Sequence, residues 1–161
     1  MADAASIARR DARFGTDLRL LGDLERAEQR ERGSDLRTAV RPETSGTDLQ
    51  RLIGVPDLQQ ALLLRFLTEQ GELAHLGHPD YGSRLHELIG EPNTETTRNR
   101  AKLYALQALQ AEPRVARVQS IEVRTQRSRP NRIDISASVL TIDSDTPLNL
   151  VFPVQLDGGT P

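Results

Sequence analysis

Carboxylates, histidines and arginines carry the chemistry open to this chain, because it contains no cysteine. That excludes thiol nucleophiles, disulfide staples, iron–sulfur ligation and thiolate-rich zinc sites, and it leaves the redox compartment undetermined. Paired carboxylates run acid–base hydrolysis only when they flank a substrate and their pKa values are pushed apart. Glu69 with Glu72 and Glu87 with Glu91 are such pairs by spacing, but each lies among polar neighbours where solvated carboxylates are expected. His75, His78 and His86 match no zinc spacing, no serine occupies a Gly-x-Ser-x-Gly elbow, and no Gly-Lys-Ser/Thr phosphate cradle is present. No catalytic, metal-binding or cofactor-binding residue is assigned, and no cofactor is expected.

Two basic features remain. Arg124, Arg127, Arg129 and Arg132 place four positive charges in nine residues without an acidic one, centred on a hairpin loop expected over Arg127 to Asn131. Such a loop could contact phosphate, but it has no stacking aromatic, and a carboxylate-bearing protein surface is an equal candidate. Glu112-Pro113-Arg114 sits where the last helix hands over to the first strand of the sheet. Proline fixes that corner. Arg114 is then either a bidentate donor offered across an interface or an internally satisfied turn residue. The basic side chains are 20 Arg and one Lys, Lys102, a bias that GC-rich coding explains as readily as a need for guanidinium forks.

The elements that position these residues follow from length and pattern. A chain of 161 residues suits one domain rather than two, and 37% hydrophobic content with only three Phe, two Tyr and no Trp means a small aliphatic core, a poor enclosure for a large pocket. The net charge of −2 gives no global attraction to phosphate or lipid head groups. No 18-residue apolar run and no signal-like apolar stretch occur, so the chain reads as soluble and made in the cytoplasm, with no membrane insertion. Residues 1–57 are polar and broken by glycine and proline, an arm with a short strand over Asp17 to Leu21 and a charge-laced stretch from Leu24 to Arg32. Residues 58–161 form the main domain.

Leu58, Leu62, Leu63, Phe66 and Leu67 make one broad stripe on a helix, and Leu85, Leu88 and Ile89 put a shorter helix over Tyr81 to Ile89. Asn93 or Thr94 can cap a third helix that carries Ala101, Tyr104, Ala105 and Ala108 and ends near Pro113. Period two then takes over. Ile121 and Val123, then Ile133 to Thr141, then Leu148, Leu150, Phe152, Val154 and Leu156 read as three strands of an antiparallel meander, with a turn over Asp143 to Pro147. The fold class is therefore α+β, a small helical layer on an antiparallel sheet with a polar N-terminal arm. Pro153 makes the last strand an edge or a bulge. Such an apolar edge needs a cover, either a strand from another chain or the arm around Leu18.

Three segments, in this order and spacing, carry a resemblance: Leu58 through Gly71, His78-Pro79-Asp80-Tyr81-Gly82 with Ser83 and Leu85, and Ala108 through Val115 with Glu112-Pro113-Arg114. Phe14 through Leu20 joins them as a first strand. Over about residues 14–156 the chain resembles the gene 25-like baseplate proteins of contractile phage tails and related injection machines, a family that includes the type VI secretion baseplate component. The resemblance implies a non-enzymatic structural part, present in six copies per particle, which links wedge proteins to the first sheath ring. Its neighbours would be wedge, sheath and tube or hub proteins, with no nucleic acid. It would assemble in the cytoplasm into the baseplate of a phage tail or tail-like particle and become extracellular on release. Glu112, Pro113 and Arg114 would meet the wedge, and the strand carrying Leu148, Leu150, Phe152, Val154 and Leu156 would offer its edge to the sheath. An old lysozyme label attached to parts of the family implies the alternative, a cell-wall hydrolase; nucleic-acid binding through the 124–132 arginine loop is the remaining one. The stretch from Arg26 to Asp48 departs from the compact start of short family members.

Overall fold

The computed structural model describes residues 4–24, 36–142 and 144–157. In chain order these form α1 (Ala4–Phe14), β1 (Thr16–Leu18), β2 (Thr38–Val40), β3 (Thr47–Leu49), β4 (Arg51–Ile53), α2 (Val55–Leu67), 3-10 turns at Ala74–Leu76 and Leu85–Leu88, α3 (Glu95–Gln110), β5 (Val115–Gln126), β6 (Arg129–Thr141) and β7 (Ser144–Gln155). The architecture is α+β, with a helical layer against an antiparallel sheet of order β5-β6-β7. Among the described residues no helix is long and apolar enough to cross a membrane.

The sheet follows from its period-two pattern. Ile133, Ile135, Ala137 and Val139 of β6, with Leu148, Leu150, Phe152 and Val154 of β7 and Leu156 just beyond it, turn to one buried face. On this face lie Ala101, Ala105, Ala108 and Leu109 of α3, and Leu58, Leu62, Leu63 and Phe66 of α2. Phe66 meets Phe152 with ring centroids 5.2 Å apart at 51°, a tilted pair contributing about 1 kcal/mol beyond its area. α2 starts at Gly54, with Pro56 in the first turn where its missing N–H is harmless. α3 is capped by Thr94, whose hydroxyl accepts from Thr97 N–H at 3.2 Å.

In the main domain four expectations change. The helix expected over Tyr81 to Ile89 is only the 3-10 turn Leu85–Leu88; Leu85 and Leu88 are buried, but Gly82 at φ +105° sets the preceding backbone outside helical space, and Ile89 is exposed. β5 starts at Val115 rather than near Ile121, its first half hidden from a period-two reading by register shifts at Val115/Arg117 and Val118/Ser120. The loop expected over Arg127 to Asn131 is a tight turn at Arg127 and Ser128, with β6 already running from Arg129. β7 likewise begins at Ser144, so most of the turn expected over Asp143 to Pro147 is strand, with Asp143 itself outside the described residues.

The strand expected over Asp17 to Leu21 is the shorter β1, and it pairs antiparallel with β4, not with β7. β2 and β3 form a hairpin that accounts for the described part of the 26–48 stretch, with Arg41 paired to Asp48 across it. Residues 25–35 lie outside the described residues, and with them most of the stretch from Leu24 to Arg32. The two ribbons are stitched by Arg19 N–H to Gln50 C=O (2.8 Å), Arg37 N–H to Arg19 C=O (3.1 Å) and Gln50 N–H to Arg37 C=O (2.7 Å). Gln60 of α2, fully buried, holds this region to the domain. Its Oε1 accepts from Leu20 and Leu21 N–H at 2.8 and 3.1 Å, and its Nε2 donates to Leu18 C=O at 2.8 Å. Phe14 and Leu21 thereby join the same core as the sheet.

Candidate docking site at the helix-to-strand corner

Glu112, Pro113 and Arg114 form the corner between α3 and β5. Pro113 is exposed, whereas the two charged side chains turn inward. Glu112 Oε1 accepts from Arg114 Nε at 2.6 Å, and its Oε2 accepts from Arg65 Nη2 at 3.4 Å. Arg114 Nη1 donates to the Phe14 carbonyl at 2.6 Å and to Asp57 Oδ2 at 3.2 Å. One guanidinium thus ties the end of α1, the first turn of α2 and the corner itself. Gly15 is required here: at φ +93° it carries the chain past Asp57, whose Oδ2 would lie 3.3 Å from an added Cβ. Within this chain Arg114 is internally bonded.

The two carboxylates respond differently to this guanidinium. Burial pushes both upward. For Glu112 the hydrogen bond and charge of Arg114 outweigh burial and leave it below its ordinary value; for Asp57 burial outweighs Arg114 and leaves it raised. Divergent carboxylates are the mark of an acid–base pair, but these two are spent on the arginine between them, and neither lines the groove described next.

Arg65, near the end of α2, stacks on the ring of Tyr81 with its guanidinium carbon 4.5 Å from the centroid. The loop that carries Tyr81 is pinned by Ser83 N–H to Thr68 C=O (2.9 Å), Gln70 N–H to Ser83 C=O (3.0 Å) and Gly71 N–H to Tyr81 C=O (3.2 Å). Between this loop and the corner opens a groove of about 340 Å³, lined by Arg65, His78, Pro79, Asp80, Tyr81 and Pro113 among others. Residues from all three segments of the sequence resemblance meet there.

The remaining candidates are placed as follows. The arginine cluster is divided: Arg132 is buried and donates to Asp134 at 2.8 Å, Arg124 pairs with Glu122 at 2.6 Å, and Arg127 and Arg129 are exposed at the turn. Buried position and a local carboxylate, invisible in a run of charges, remove Arg132 from any contact surface. Leu148, Leu150, Phe152, Val154 and Leu156 point into the core, so the strand expected to meet the sheath could offer only its backbone. Glu69 and Glu72 are exposed. The Nδ1 atoms of His75 and His86 each lie 3.1 Å from a carbonyl oxygen three residues earlier, and among the described residues no cluster of three or more potential metal ligands occurs.

Glu87 is held at about 2, first by the hydrogen bond from Arg84 and then by that from Tyr104. A carboxylate with a depressed folded pKa adds stability above its unfolded value and loses it as pH falls through the folded one. The Arg84–Glu87–Tyr104 bracket should therefore open as pH falls through about 2, its contribution to stability fading from pH 4.5 downward. With two tyrosines and no tryptophan in the chain, near-ultraviolet dichroism reads it directly, and Glu87→Gln should abolish that transition. A carboxylate so fully ionised at neutral pH is also a poor general acid.

Sequence reasoning missed Asp57, Gln60 and Arg65. The available signal was a polar side chain within or flanking the apolar stripe of α2, where a buried partner must exist.

Residues 54–144 match the sequence model of the family described as baseplate wedge protein gp25. No curated protein matches the chain. Among solved structures, a tail protein from Geobacter sulfurreducens carrying a provisional lysozyme name, in a crystal structure at 1.44 Å, is similar at 22% identity with a TM-score of 0.53, over 63% of this chain and 89% of that one; at that identity the likeness is one of fold. The family match takes in more than half of the chain, including α2, the groove and the corner, and the chain belongs to the family of baseplate wedge protein gp25, structural components of phage-tail baseplates.

Proposed function

We propose that this chain is a non-catalytic link between the baseplate wedge and the first sheath ring, meeting the wedge at the groove beside Pro113 and offering the open edge of β7 to a sheath strand. The observation that carries this reading is the edge itself. Among the described residues β7 pairs with β6 alone. Leu156 N–H donates to Asn131 C=O at 2.8 Å, and the register fixes the alternation from there. Leu148, Leu150, Phe152 and Val154 face β6 with their peptide groups, while those of Asn149, Val151 and Pro153 face away. Pro153 thus has its missing N–H on the outer edge, where no ladder bond is lost, and Asn149 and Val151 offer donors and acceptors to an added strand. Force would pass through that ladder and through the rigid corner rather than through a reaction.

Truncating β7 would remove core side chains, so a backbone substitution is the sharper test. Val151→Pro deletes an outward N–H in the same register as Pro153. The variant is expected to melt within a few degrees of wild type and to give baseplates without attached sheath by electron microscopy. Sheathed particles at normal numbers would remove this edge from sheath assembly.

A further inference from the structure

The groove beside Pro113 holds a cation that its own chain leaves short of acceptors. The Arg65 side chain is only 9% exposed; its Nη2 reaches Glu112 Oε2 at a long 3.4 Å, and its Nε is buried with no hydrogen-bond partner. One face of the guanidinium is taken up by the Tyr81 ring. A guanidinium has five N–H donors, and buried ones are normally paired. The shortage is not one of charge. Glu112 faces Arg65, Asp57 faces Arg114, and Asp80 is among the residues lining the groove, where its negative charge would disfavour an anion. What the site lacks is neutral oxygen.

We propose that the groove takes an uncharged main-chain segment of a wedge protein, whose carbonyl oxygens accept hydrogen bonds from Arg65 while Pro79, Tyr81 and Pro113 cover its apolar atoms. This rests on the reading that the corner meets the wedge, and it makes Arg65 rather than Arg114 the donor that takes hold. Planar donors in a fixed fork distinguish arginine from lysine here.

The test measures binding of the full chain to purified wedge subunits of the same particle. Arg65→Lys, which keeps a charge opposite Glu112 but loses the fork, should bind about tenfold more weakly while melting close to wild type. Wild-type affinity should change less than about threefold between low and high salt, since no ion pair is screened. Should Arg65→Lys fail to fold, wild-type protein answers alone: exchange of the Arg65 guanidinium protons, followed by NMR, should slow about tenfold in the complex. Steep salt dependence together with tighter binding by Asp80→Asn would assign an acidic partner and overturn the inference, as would wild-type binding by Arg65→Lys or unchanged proton exchange. Absence of any wild-type binding would overturn the wedge reading itself.

Discussion

Arg114→Ala is expected to lower stability by about 3 kcal/mol, because it removes one partner from a buried ion-pair group and leaves the others behind. At this chain length that is a fall of roughly 10 °C in melting temperature. The side chains of Asp57 and Glu112 are each only 7% exposed, and the Phe14 carbonyl takes its 2.6 Å bond from the same guanidinium. Among the described residues Asp57 has no second cation once Arg114 is gone, whereas Glu112 keeps Arg65 at 3.4 Å. Arg114→Lys should recover part of the loss, since one ammonium cannot span the three acceptors. The pH dependence has a definite sign. The contribution of Arg114 exists while the carboxylates are ionised, so the gap between wild type and variant should narrow as pH falls through the carboxylate range. A variant that melts within a degree or two of wild type, with a gap indifferent to pH, would mean that the two carboxylates relax into water. The same physics governs any assembly experiment: failure of Arg114→Ala to enter baseplates is evidence of a lost contact only at matched levels of folded protein.

The parts of this fold that were legible in sequence are those whose neighbours are generic. β6 and β7 alternate cleanly because one face packs on helices, and α2 shows its stripe for the same reason. Thr94 announces its helix because capping is local. What could not be read is what depends on distant partners. Gln60 and Arg65 look like ordinary polar residues on a helix until residues 18–21 and Glu112 come to them across more than 35 positions. The corner was locatable from Glu112-Pro113-Arg114, but the direction of its side chains was decided by the Phe14 carbonyl, 100 residues away. Bulges erased the first half of β5, and Leu85, Leu88 and Ile89 have helical spacing although a positive-φ glycine three residues before Leu85 prevents the helix.

Gly82→Ala should be the more damaging of two glycine substitutions in the loop that bears Tyr81. Gly82 has φ +105°, and an added Cβ would lie 2.6 Å from the Glu69 carbonyl oxygen, 2.7 Å from its carbon and 2.8 Å from the Thr68 oxygen. These are backbone atoms that cannot rotate away. They are held by Ser83 N–H to Thr68 C=O at 2.9 Å, and by the Ser83 hydroxyl to Phe66 C=O at 3.2 Å. The methyl group must therefore separate the two chain segments, break these bonds and draw Tyr81 off Arg65, at a cost of about 4 kcal/mol from strain and lost bonds together. Gly77→Ala supplies the contrast. Gly77 has φ +89°, in the same loop, but an added Cβ meets nothing within 4 Å, so only conformational strain of about 1 kcal/mol applies. Urea unfolding of the two variants separates the close approach from the backbone preference. If both lose the same amount, the packing of Gly82 against residues 68 and 69 is not what fixes the loop. If Gly82→Ala alone collapses, the groove wall is set by a hydrogen atom where any other side chain would stand, and wedge binding should fall further in that variant than its loss of folded protein accounts for.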